Sequence, residues 1–247
     1  LAECVLQAVR VQFPPSATPP HITLVGHSLG GAVILRMYGH DRLRAEYADV
    51  LSRVDSAVLL APADIRIPQM PPNLRRACEI SDVEVVLAQS LGMLPELAAQ
   101  MEWNGVVNGP SAMVEEAQRD LRLFTDLPHL HAMQSMILHA VPQNHGILDS
   151  SAADYWERQY QYLTVPTLVV WGSLDSTLGP SMGYKLQAQL PDARLRILNP
   201  AKHCLMIEQP QACIDLIRSF TAGTLGTERI ATIPVQPPVP HAHPAQR

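Results

Sequence analysis

Apolar positions follow two different rhythms along this chain. Around Ile22–Val25, Ser56–Leu60 and Val165–Gly172 they run almost without a break, which predicts short strands buried on both faces. Elsewhere they recur at helical spacing. Leu1, Val5, Ala8, Val9 and Phe13 make one amphipathic face. Residues 29–38 are apolar apart from Arg36, so they predict a buried helix that stops at Gly39. Asp41 is placed to cap a more polar helix that shows Leu43, Tyr47, Val50 and Leu51 on one side. Residues 181–190 predict another helix. The last starts near Pro210, shows Cys213, Leu216, Ile217 and Phe220, and stops at Gly223. The stretch Ala193–Ile197 alternates apolar with arginine, as a half-exposed edge strand guarded by charge would.

Continuous strands interleaved with helices predict an α/β fold with a mostly parallel sheet and helices on both faces. Between about 65 and 163 the strand signals vanish. Helices are predicted there over 81–92, 95–103, 111–125, 128–140 and 151–163, with Pro128 in a first turn and Ser151 and Asp154 resembling a capping box. The core is therefore expected to be discontinuous, 1–64 and 164–222, around a helical insertion at 65–163. Residues 223–247 are proline-rich and are expected to be disordered.

Composition narrows the class. The chain has 247 residues, 47% hydrophobic and 17% charged, enough to bury a sizeable core. Its formal charge is −5 and it has no basic run, which argues against nucleic acid as a partner. No apolar run approaches the length of a membrane span. Glu3 and Arg10 interrupt any signal peptide, so a cytoplasmic location is expected. Cys4, Cys78, Cys204 and Cys213 form no metal or disulfide spacing and read as reduced cysteines in or near the core. Six of the nine methionines, Met70, Met93, Met101, Met113, Met133 and Met136, lie in the insertion, as core filling or as an adaptable apolar wall.

The chemistry concentrates at Gly26-His27-Ser28-Leu29-Gly30-Gly31. A serine between two close glycines, after a strand and before a helix, has the form of a nucleophile elbow. The serine would sit at positive φ, and a Cβ at Gly26 or Gly30 would collide with the opposite limb of the turn. A serine nucleophile needs a base, and the base needs an orienting carboxylate. Asp175 follows the strand that ends at Gly172 and His203 follows the alternating strand, so both would open at the same sheet edge as Ser28. Asp64 is an alternative acid. His27 occupies the variable position of the elbow. His129, His131 and His139 fall in the insertion, and His241 and His243 in the tail.

With these motifs, the chain resembles the α/β-hydrolase superfamily in its capped, esterase-like branch, from residue 1 to about residue 222. The resemblance rests on the elbow, on Val165-Pro166 through Gly172 and Asp175, and on His203 with Glu208-Gln209-Pro210. It implies Ser28 as nucleophile, Asp175 as acid, His203 as base, Leu29 as an oxyanion-hole amide, and 65–163 as a helical cap. Relatives with an aspartate nucleophile, the haloalkane dehalogenases and epoxide hydrolases, are excluded by Ser28. Lys202 stands where the family commonly has glycine.

The expected activity is cleavage of a carboxylic ester or related acyl substrate with an apolar part, through an acyl-enzyme, with no metal or organic cofactor. An acyltransferase, a C–C hydrolase and a non-catalytic binding module are the alternatives. Only 27 residues precede Ser28, which leaves no place for the family's N-terminal strands or the loop bearing a second oxyanion donor. A fragment of a longer gene, one piece of a split protein or a short relative would each explain this. The unpartnered side of the elbow strand is expected to be an exposed apolar edge.

Overall fold

The computed structural model describes residues 1–14, 20–63, 79–94, 126–140, 143–144 and 147–236. Its main sheet has five strands: β1 (Ile22–His27), β2 (Val54–Leu60), β5 (Thr167–Gly172), β6 (Ala193–Asn199) and β7 (Ile230–Pro234). They lie in the order β1-β2-β5-β6-β7, every neighbouring pair parallel. Side chains alternate between faces along a strand, and every residue of β5 and nearly all of β2 is buried. Both faces are therefore covered, as the continuous apolar runs predict.

The covering helices are α1 (Ala2–Gln12), α2 (Leu29–Gly39), the short α3 (Asp41–Glu46) and α4 (Ala48–Leu51), α8 (Ser181–Gln189), α9 (Leu205–Glu208) and α10 (Pro210–Thr221). Helix α2 packs on β1 and α8 on β5 and β6. Leu6, Leu35, Met37, Val58, Leu168, Trp171, Leu186, Leu195, Leu216 and Phe220 belong to one continuous core between them. Between β2 and β5 lie α5 (Asp82–Ser90), α6 (Leu127–Ala140), the short antiparallel pair β3 (Gln143–Asn144) and β4 (Ile147–Leu148), and α7 (Ser150–Arg158) followed by a 3-10 turn (Gln159–Tyr162). Ile80, Val85, Leu94 and Leu130 form a second small cluster apart from the main core. The helices expected over 95–103 and 111–125, and Asp64, lie outside the described residues. No helix among the described residues is long and apolar enough to cross a membrane.

Several local expectations need correction. Asp41 is the first residue of α3, not its cap, and its carboxylate takes Arg44; the helix then breaks at Tyr47. Helix α7 is capped by Asp149, which accepts from the amides of Ser151 and Ala152, rather than by Ser151. An anionic cap also suits the positive end of the helix dipole. These hydrogen bonds hold the Asp149 carboxyl below its usual range. Of the cysteines described, Cys213 is buried, which pushes its thiol up to about 11, whereas Cys204 is half-buried and Cys4 is exposed.

The largest correction concerns the C-terminal end. β6 is an interior strand, because residues 230–234 of the supposedly disordered tail pair with it as β7. Arg196 is not a guard on an exposed edge: its side chain is 2% exposed. Its guanidinium donates to the carbonyls of Leu195, Gly226 and Glu228, while Arg194 donates to that of Leu225. The arginines staple the turn that feeds β7. At its far end Val235 N–H donates to Asn199, and the Gln209 side chain donates to the carbonyl of Gln236.

β1 pairs with β2 alone among the described residues. Its burial is lower than its composition predicts, and Val25 is 51% exposed. Among the described residues the other side of β1 is unpaired, and Val25 is its exposed apolar residue.

Candidate active site

Ser28 links the end of β1 to the start of α2 with φ 49° and ψ −114°. A non-glycine residue in that region costs about 1–3 kcal/mol, and persists only when its surroundings over-determine it. They do here. Ser28 N–H donates to Leu60 at 2.9 Å, and its carbonyl accepts from Gly31 at 3.0 Å, Ala32 at 3.2 Å and Ala63 at 2.8 Å. The turn after β2 is thus latched to the elbow from both sides, and it holds its own positive-φ residue, Ala61.

The flanking glycines are not equivalent. A Cβ on Gly26 would lie 2.5 Å from the carbonyl of Gly30, and one on Gly31 would lie 2.4 Å from Cβ of Pro62. A Cβ on Gly30 would meet nothing within 4 Å, so the collision expected there is absent. Gly26 and Gly31 are required by close approach; Gly30 is not. Gly30→Ala is expected to leave thermal stability within about 0.5 kcal/mol of the parent. Gly26→Ala is expected to cost about 1–3 kcal/mol by overpacking the turn. Parallel thermal denaturation of the two variants checks the difference.

Helix α2 presents its N-terminus beside Ser28. The Gly31 and Ala32 amides are taken by the Ser28 carbonyl. Those of Leu29 and Gly30 have no backbone acceptor among the described residues, as expected for a first helical turn. They combine with the helix dipole to favour negative charge at this place.

Asp175 and His203 come together from the loops that follow β5 and β6. Asp175 Oδ1 accepts from the amides of Thr177 and Leu178, both at 2.9 Å, and Oδ2 accepts from His203 Nδ1 at 2.9 Å. The Asp175 side chain is fully buried, and these three donors replace the water its carboxylate has lost. Because Nδ1 carries the proton toward Asp175, His203 Nε2 is left as an acceptor.

The two loops are zipped to each other. Leu174 N–H donates to Ala201 at 2.8 Å, Ser173 N–H to Leu198 at 2.9 Å, and the Ser173 hydroxyl to Asn199 Oδ1 at 2.7 Å. Gly172 permits that closeness, since a Cβ there would stand 2.1 Å from the carbonyl oxygen of Lys202. Lys202, the departure from the usual glycine, donates its amide to both carboxylate oxygens of Glu208, at 3.0 and 3.2 Å.

His27 is a neighbour of the candidate site that the sequence alone does not single out. Its Nε2 lies 3.0 Å from the carbonyl oxygen of His203, and the two rings are 4.8 Å apart at an interplanar angle of 50°. A carbonyl can only accept, so His27 carries its proton on Nε2. Burial, with a smaller contribution from the facing His203, lowers its pKa to about 4. Its place beside Ser28 was the one available signal. The Ser28 hydroxyl itself has no hydrogen-bond partner among the described residues. His129 and His131 pair with Asp126 and Asp82 on the surface.

A parallel sheet with a positive-φ serine at the tip of one strand, and a buried carboxylate–imidazole pair beyond two others, is an arrangement that the α/β-hydrolase fold accommodates. The sequence profile of the alpha/beta hydrolase family matches residues 2–216, and the chain belongs to that family. An uncharacterized protein of Mycobacterium tuberculosis is 24% identical over 208 residues, which cover 82% of this chain and 56% of the relative. The chain thus spans about half the length of the curated relatives it matches. The meta-cleavage product hydrolase of Pseudomonas fluorescens IP01 superposes with a TM-score of 0.63 at 16% identity, over 90% of this chain and 70% of its own. An esterase from Exiguobacterium antarcticum gives 0.57 at 15% identity, over 90% and 72%. At such identities the likeness is one of fold.

Proposed function

We propose that this chain carries the reacting groups of a serine hydrolase acting on a carboxylic ester or related acyl substrate. The observation that carries this reading is the Asp175–His203 hydrogen bond, set at the same sheet edge as the strained Ser28. His203 Nε2 takes the proton of Ser28 Oγ as that oxygen attacks the acyl carbon. The Leu29 amide, at the positive end of α2, donates to the oxyanion. When the tetrahedral adduct collapses, His203 returns its proton to the leaving alcohol and the acyl group stays on Ser28. Water then repeats the sequence, with its proton going to His203 and the acid leaving from Ser28. Asp175 keeps the imidazole in the required tautomer and stabilises its charged form. The route uses no metal or organic cofactor.

An apolar acyl or alcohol part is inferred from the methionine-rich stretch between β2 and β5, read as a cap over the site. A panel of aryl esters of increasing acyl length tests the proposal. Hydrolysis that is lost in Ser28→Ala is expected, and equal turnover by the two proteins would refute it. Product analysis with added alcohols or amines distinguishes hydrolysis from acyl transfer, and a vinylogous diketone tests C–C cleavage.

A further inference from the structure

We propose that His27 is a positioning residue: through its hydrogen bond to the His203 carbonyl it sets the register between the nucleophile and the base. The inference rests on the hydrolase reading above. Ser28 and His203 sit on different loops, and no hydrogen bond joins their reacting atoms among the described residues. The base is fixed toward its acid by Asp175 and along its own loop by Glu208, which holds Lys202 N–H. Neither contact ties that loop to the elbow. His27 does so directly. It is covalently adjacent to Ser28, its Nε2–H donates to the backbone of the base, and its ring packs on the base's ring. A shift of the His203 loop away from Ser28 must break that bond.

The protonation state of His27 suits the task. With a pKa near 4, it is neutral under ordinary conditions and its single proton is the one donated to His203. A charged His27 would put a second positive charge 4.8 Å from the ring that must become an imidazolium. The groups it faces are His203 and, farther off, Asp175.

The test compares His27→Phe, which keeps a ring but loses the donor, with His27→Gln, which keeps a donor at a similar reach but loses the ring. Rates of Ser28 modification by a fluorophosphonate are measured on both and on the parent, together with kcat and KM on an ester the parent turns over. His27→Phe is expected to react about 10–100-fold more slowly, the scale of a misplacement near 1 Å, with kcat falling and KM unchanged. His27→Gln is expected to stay close to the parent rate. Parent-like reactivity of His27→Phe, or equal slowing of both variants, overturns the positioning role while the hydrolase reading stands. Failure of the parent itself to label at Ser28 overturns that reading and the inference with it. Nitrogen NMR of the imidazoles in the unsubstituted protein gives an answer independent of variant folding. A neutral Nε2–H tautomer at His27 is expected at pH 7, and an Nδ1–H tautomer overturns the inference.

Discussion

Asp175→Asn is expected to lower kcat on any ester the protein turns over by about 10⁴-fold, the scale such a change has in a serine triad, with little loss of fold. The hydrogen bonds around the carboxylate dictate this outcome. Oδ1 is fixed by the amides of Thr177 and Leu178, so an asparagine will leave its carbonyl oxygen there and turn its NH₂ toward His203. Two donors cannot share one proton position. The imidazole must move its proton to Nε2 to offer Nδ1 as an acceptor. It then has no lone pair for the Ser28 proton. Activity is read by kcat on an aryl ester and fold by the melting temperature. A large fall in the first with a small change in the second is the expected pattern.

The second large effect is expected at Gly172, which touches no reacting atom. Gly172→Ala puts a methyl group 2.1 Å from the carbonyl oxygen of Lys202 and 2.5 Å from that of Ala201. Both are backbone atoms of the His203 loop, so no side-chain rotation relieves the contact. The loop must move outward, and the Leu174-to-Ala201 hydrogen bond stretches with it. Overpacking of this kind costs about 1–3 kcal/mol, and displacement of the base by about 1 Å costs about 10²-fold in rate. Urea denaturation measures the first and kcat the second. A full-rate, fully stable Gly172→Ala protein would mean that the two loops are not held as close as described.

What the sequence revealed, and what it concealed, follows chain distance. The elbow was legible because its parts lie within ten residues, each with a local reason: a strand, Ser28 at the tip, Gly26 where a Cβ has no room, then a helix. Asp175 and His203 were legible because each follows the end of a recognisable strand. His27 was passed over because its partner lies 176 residues away, and nothing local marks it as a donor to His203. Arg196 hides its role for the same reason. Alternation with apolar residues is the usual sign of a solvent-facing edge, but two of the three carbonyls that satisfy Arg196 lie 30 and 32 residues later. With them comes β7, whose short run Ile230-Ala231-Thr232-Ile233 is masked by the prolines that follow it from Pro234 onward. Gly30 is the opposite case: a motif position assigned a steric purpose that the open space around it does not support.

The central claim is that Ser28 is a nucleophile made reactive by His203 and Asp175. Its most direct measurement is the intact mass and peptide map of the protein after reaction with a fluorophosphonate. A single adduct on the peptide containing Ser28 is expected, abolished in Ser28→Ala and strongly slowed in His203→Ala. An unmodified Ser28, or an adduct that forms equally fast without His203, would contradict it.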